Sequence, residues 1–280
     1  MSAVEIADRL LVGPHGALRV RLYTPSLPSR HGLVWAHGGG FAGGDLDMPE
    51  ADGASRAFAE RGITVVSVEY RLAPSPERAG VHYPIASEEV EFAYLWARSA
   101  GLVDGPWCLG GASAGGNLAA GAILRLVRTG GPVPALAVLA YPTLQAVQDA
   151  PDAALRALLD AEPDADRFRP ETVRGMYENY LGGPVEGADI FAIPGTATST
   201  ELTGFPPTII IDGEADELRV SAESFARTLR AAGVEVGIDV EPGTQHGHLN
   251  RPEAPAAAAS IDRFAARILA LPLPARTAHE

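Results

Sequence analysis

The chain has 280 residues, 46% hydrophobic and 20% charged, a soluble globular balance with length enough for one well-filled core. Its formal net charge of −13 and the absence of any basic run argue against nucleic acid and against an anionic membrane surface as partners. Every basic side chain other than histidine is arginine, so mechanisms that need a Ser–Lys pair are excluded, and a single cysteine, Cys108, excludes an intrachain disulfide.

The first residues lack the charged-then-apolar pattern of a signal peptide, and no apolar run approaches the roughly 18 residues of a membrane span, so the expected location is cytoplasmic. Apolar runs bounded by Gly and Pro then predict strands at residues 18–23, 33–36, 63–68, 107–109, 135–140, 208–211 and 234–240. Helical spacing predicts helices at 49–60, 85–100, 116–129, 220–232 and 255–269. Strand and helix alternate, which predicts an α/β domain: a mostly parallel central sheet with helices on both faces and ligands beyond the carboxyl ends of its strands. The first strands precede any helix and are expected to pair antiparallel at one edge. Residues 144–202 break the rhythm, with helical patterns near 153–159 and 171–181 among many Pro, Gly and Asp residues, and read as a small lid inserted into a single domain spanning 1–280.

The strongest chemical signal is Gly111-Ala112-Ser113-Ala114-Gly115, a GxSxG sequence between a predicted strand and a predicted helix. Small flanking residues let the chain turn sharply there and lift the Ser113 hydroxyl clear of the sheet. Upstream, His37-Gly38-Gly39-Gly40-Phe41 follows the strand at 33–36, and glycines allow main-chain N–H groups to converge on one oxyanion. A nucleophilic serine needs a base, and the base an orienting acid. Chain order calls for a histidine after the last core strand, which selects His246; His248 competes, and the two together make a poor zinc site without a third ligand. Asp212, Glu214, Asp216 and Glu217 all follow the strand at 208–211, and spacing does not choose among them.

These motifs resemble the hormone-sensitive-lipase-like branch of the α/β-hydrolases, which includes many bacterial carboxylesterases. The likeness covers most of the chain: residues 19–25, the HGGGF loop, Val68-Glu69-Tyr70-Arg71-Leu72-Ala73-Pro74, the GASAGGNLA run at 111–119, and Tyr141-Pro142. The YRLAP segment separates this branch from other GxSxG hydrolases. The resemblance implies the α/β-hydrolase fold and a serine esterase. Asp216-Glu217-Leu218-Arg219 looks like the family's Asp-Pro-Leu-Arg and His246-Gly247-His248 like its His-Gly-Phe, which implies a triad of Ser113, Asp216 and His246. It also implies oxyanion donors on the N–H groups of Gly39, Gly40 and Ala114, with His37, Phe41 and His248 near the substrate pocket.

Three departures stand out: Ala112 replaces a frequent Asp, His248 an apolar residue, and the early strand at 18–23 leaves little room for an N-terminal cap, implying an open site. Few aromatic residues and an acidic insertion favour short acyl esters over the lipid interfaces of a true lipase. The alternatives are a hydrolase dedicated to one metabolite, whether lactone, amide or acetylated product, and a catalytically silent binding protein on the same fold. A small-molecule ester is the expected partner, no metal or organic cofactor is implied, and an edge strand or the helix at 255–269 is the candidate face for a homodimer.

Overall fold

A computed structural model of the chain describes residues 4–274. Strands β1 (Glu5–Gly13), β2 (Gly16–Thr24), β3 (His31–Ala36), β4 (Ile63–Val68), β5 (Trp107–Ala112), β6 (Ala137–Ala140), β7 (Thr208–Ala215) and β8 (Val236–Gln245) form one sheet in the order β1-β2-β4-β3-β5-β6-β7-β8. Every residue of β3, β4, β5 and β6 is buried, as strands covered on both faces must be. Pairing is parallel from β4 through β8, and the expected antiparallel edge is present, since β1 pairs with β2 and β2 with β4 in opposite directions.

The helices are α1 (Ala54–Glu60), α2 (Ile85–Ser99), α3 (Ala114–Thr129), α4 (Ala153–Ala161), α5 (Pro170–Leu181), α6 (Arg219–Ala231) and α7 (Pro255–Leu269). Because strand side chains alternate in direction, each strand feeds two cores. Leu33, Trp35, Ile209 and Ile211 pack with Phe58 of α1 and Phe264 of α7, whereas Val34, Ala36 and Ile210 join Val90 of α2, Ile123 of α3 and Phe225 of α6. Helices therefore cover both faces, as the alternation predicts.

Several predicted boundaries move. Residues 5–13, unassigned from the sequence, form edge strand β1, whose Leu10 and Val12 stay exposed and whose pattern lacks a buried face. The predicted helix at 49–60 opens instead with a π-helical turn, Pro49–Gly53, and becomes α-helical only from Ala54. The strands predicted at 107–109, 208–211 and 234–240 all run further, to Ala112, Ala215 and Gln245, because pairing with a buried neighbour continues past the apolar residues that signal it. Residues 144–202 hold α4 and α5, with Asp152 capping α4 through a 2.8 Å hydrogen bond from the Leu155 N–H and Pro170 opening α5. Among the described residues no helix is long and apolar enough to cross a membrane.

Candidate active site

Between β5 and α3 the chain reverses within one residue. Ser113 takes φ 52° and ψ −117°, a conformation that costs a residue with a side chain on the order of 1–3 kcal/mol and persists only where the surroundings enforce it. Here the Ser113 N–H donates to the Ala140 carbonyl of β6 at 2.9 Å. The flanking glycines are dictated by contact: a Cβ on Gly115 would lie 2.1 Å from the Ala36 oxygen, and one on Gly111 2.5 Å from the same atom. Only with both positions bare does the start of α3 tuck against the end of β3, leaving Ser113 at the N-terminus of a 16-residue helix.

Two neighbouring strand ends deliver the other two groups. Ala215 of β7 pairs with Gln245 of β8, so the next residue on each strand, Asp216 and His246, leaves the sheet side by side. His246 Nδ1 lies 2.8 Å from Asp216 Oδ2, and His246 Nε2 lies 2.9 Å from Ser113 Oγ. Asp216 is wholly buried and its other oxygen accepts the Leu218 N–H at 2.9 Å, which fixes the carboxyl plane. The rings of Tyr141 and Phe168 meet the His246 ring edge-on, at centroid distances of 5.0 and 4.5 Å.

The competing acids go elsewhere. Glu214 Oε2 accepts the Gly243 N–H at 2.8 Å, while Asp212 is buried in β7 with neither oxygen hydrogen-bonded, and burial pushes its carboxyl well above the usual range. Glu217 is buried, and burial, with Asp166 adding repulsion, also raises its carboxyl above the usual range. His248 turns away from Ser113: its Nε2 meets Ser260 Oγ at 2.9 Å, Ser260 in turn donates to Glu241, and burial lowers the imidazole to about 4. Among the described residues no group of three His, Cys, Asp or Glu side chains is placed to hold a metal ion.

The HGGGF loop supplies the third wall. Gly39 (φ 114°) and Gly40 (φ 60°) occupy the left-handed region, and a Cβ on Gly39 would sit 2.2 Å from the Gly43 oxygen. The main-chain N–H groups of Gly39, Gly40 and Ala114 donate to no acceptor among the described residues. Three sequence expectations need correcting. His37, Phe41 and His248 do not line the cavity in front of Ser113. His37 is fully buried, stacked on Tyr70 at 4.4 Å; Phe41 is stacked on Tyr180 at 4.1 Å; His248 lies behind Tyr141. They support the loops that carry the site, from inside.

That cavity, of about 430 Å³, is bounded by Gly39, Gly40, Ser113 and His246, with Met48, Glu50, Arg167, Phe168, Asn250 and Arg251 around them. A larger open groove of about 610 Å³ beside Arg19 and Arg71 contains none of the three hydrogen-bonded residues, so the smaller cavity is the candidate site. Glu50 escaped the sequence reading. It is buried, its Oε1 accepts the Gly38 N–H at 2.7 Å, and its Oε2 accepts the Tyr141 hydroxyl and the Asn250 amide at 2.8 Å each. One carboxyl thus ties the glycine loop to the tyrosine that packs on His246 and to the cavity rim. In sequence it is one acid among Asp45, Asp47 and Asp52, indistinguishable from a solvated helix residue.

A family model described as the alpha/beta hydrolase fold matches residues 33–250. Among relatives, the carboxylic ester hydrolase LipN of Mycobacterium tuberculosis is 34% identical over 260 residues, covering 88% of this chain and 65% of its own length. Carboxylesterase NlhH of the same organism is 34% identical over 246 residues, covering 82% of this chain and 71% of its own. The chain therefore spans about two thirds of the length of these relatives. Among solved structures, brefeldin A esterase, described as a bacterial homologue of human hormone-sensitive lipase, superposes with a TM-score of 0.83 at 25% identity, over 96% of this chain and 77% of its own. An esterase of Pyrobaculum calidifontis superposes with a TM-score of 0.81 at 29% identity, over 94% and 85%. With the glycine loop, the serine turn and the paired strand ends in the arrangement described, the chain belongs to the α/β-hydrolase fold family, in its hormone-sensitive-lipase-like branch of carboxylesterases.

Proposed function

We propose that the chain is a serine carboxylesterase that hydrolyses short-chain acyl esters through an acyl-enzyme intermediate. The observation that carries this reading is the unbroken run of hydrogen bonds from Asp216 through His246 to Ser113, at 2.8 and 2.9 Å, opening on a cavity. Ser113 Oγ attacks the ester carbonyl while His246 Nε2 takes its proton. The carbonyl oxygen becomes an oxyanion, held by the N–H groups of Gly39, Gly40 and Ala114, which have no other acceptor among the described residues. As the intermediate collapses, His246 returns the proton to the departing alcohol and Ser113 keeps the acyl group. Water, deprotonated by His246, then releases the acid and restores the serine. Asp216 holds the imidazole tautomer that presents a bare Nε2 to the hydroxyl.

Residues 144–202 act as a lid over this cavity in the same reading. In support, Phe168 packs on the His246 ring and Met176 of α5 lies beside Gly40. A cavity of about 430 Å³ suits a short acyl chain, being near the small end of ligand pockets of about 300–1,000 Å³.

Hydrolysis of p-nitrophenyl esters from acetyl to long-chain acyl, by the unmodified protein and by Ser113→Ala, tests the reading. Turnover is expected to be fastest for the shortest acyl groups and to vanish in the variant. Persistence of turnover in Ser113→Ala, or none by the unmodified protein, overturns it.

A further inference from the structure

The wall of the cavity carries two arginines without acidic partners among the described residues. The Arg251 side chain is exposed at the rim and makes no hydrogen bond or ion pair among the described residues. The Arg167 guanidinium lies over the Phe168 ring, 5.8 Å from its centroid, and among the described residues hydrogen-bonds only to the His246 carbonyl, at 3.4 Å. Many other arginines are committed to acids, as Arg21 is to Asp8, Asp47 and Asp52 and Arg174 to Glu178 and Glu186; Arg9, Arg78 and Arg230 reach main-chain carbonyls and Arg98 an aromatic ring instead, but none of these lines the cavity. What sets Arg167 and Arg251 apart is their place, since both line the cavity that Ser113 and His246 bound.

Two acids close to them are spoken for. Asp166, beside Arg167 in sequence, accepts from Arg156 and Arg169. Glu50 lines the same cavity, yet both of its oxygens already accept hydrogen bonds from Gly38, Tyr141 and Asn250. The net charge of −13 repels anions at long range, but salt screens that field beyond about 10 Å at 0.1 M, so the groups that line the cavity set the local field, and there two guanidinium groups outnumber the one carboxyl of Glu50.

Both arginines belong to the His246 side of the cavity, Arg167 through its contact with the His246 carbonyl and Arg251 through the short turn that follows His246. The departing alcohol receives its proton from His246, so the alcohol part of the substrate lies on that side. We infer that the preferred substrates are esters whose alcohol part carries an anionic group, a carboxylate foremost, with Phe168 as the apolar surface for the body of that alcohol. The inference rests on the esterase reading and goes beyond it by naming a charge and a place for it.

Two acetyl esters of nearly the same shape but different charge, 3-acetoxybenzoate and 3-acetoxybenzamide, decide the matter. The ratio of their kcat/KM values is measured for the unmodified protein and for Arg167→Gln/Arg251→Gln, which cancels the intrinsic reactivity of the two esters. The double variant should lower the charged-to-neutral ratio by about fivefold or more, and 0.5 M salt should do the same to the unmodified protein. A ratio unmoved by the variant overturns the inference while leaving an active esterase. If neither ester is turned over, the esterase reading falls, and calorimetric binding of 3-acetoxybenzoate still decides this one. Binding to Ser113→Ala should weaken by a similar factor when both arginines are also replaced, and equal binding overturns the inference.

Discussion

Asp216 and Glu50 are both buried acids, yet their partners give them different duties. Asp216 faces the imidazole, so its replacement acts on chemistry. Asp216→Asn should leave KM near its original value and lower kcat on p-nitrophenyl acetate by about 10⁴-fold, because an amide N–H favours the wrong imidazole tautomer. Glu50 touches no reacting atom and holds three chain segments. In Glu50→Gln one acceptor oxygen becomes an NH₂ group that opposes its former donors, which costs about 2 kcal/mol for a hydrogen-bonded buried carboxyl. Thermal denaturation should show a midpoint lower by about 4–8 °C. Turnover measured well below that midpoint should fall by about tenfold as the glycine loop loosens. An unchanged kcat would mean that Gly38 is held by the loop alone.

At the scale of elements, the site depends on how closely the ends of β3 and β5 approach the start of α3. Gly115→Ala places a methyl group 2.1 Å from the Ala36 oxygen and 2.4 Å from the His37 oxygen, both main-chain atoms that cannot rotate away. The helix must retreat by about an ångström, enough to cost on the order of 100-fold in kcat/KM even where the protein still folds. Circular dichroism alongside the kinetics separates the two effects. What could be read from residues alone follows the same divide. The central strands were legible because burial on both faces leaves continuous apolar runs. Their true ends were not, because Gly110–Ala112 and residues 241–245 are held by pairing rather than by apolar character. Ser113 and His246 were legible from motif and chain order. Asp216 needed the family resemblance, since Asp212, Glu214 and Glu217 offered the same chemistry at nearly the same spacing. Glu50, Arg167 and Arg251 left no pattern, for their meaning arises only when segments distant in the chain meet.

For the whole molecule, two buried titrating groups shape stability against pH with opposite signs. His248 binds a proton near 6.5 when unfolded and near 4 when folded. Between those values the unfolded chain holds more protons, so stability is full above pH 6.5 and is lost as pH falls toward 4, by about 2 kcal/mol at pH 5. Asp212, raised by burial, contributes stability at acid pH that is lost as pH rises through its elevated folded value. His248→Phe should therefore flatten the acid limb: the drop in urea midpoint between pH 7 and pH 5 should shrink relative to the unmodified protein. An identical drop in both proteins would assign the acid limb to other groups, among them buried His37, whose imidazole burial also lowers.

The Glu50 hub also bears on the order of assembly. Its partners lie 12, 91 and 200 residues away along the chain, and Ser113 lies 133 residues from His246. No local segment can rehearse such a centre, since closing loops of that length comes late and is repaid only when all the ends are in place. Hydrolytic competence should thus appear as the last event of refolding, behind the recovery of helical signal. A nascent chain still lacking residues 246–250 would own a finished serine turn and yet cleave nothing, which keeps a reactive hydroxyl silent until the protein around it is whole.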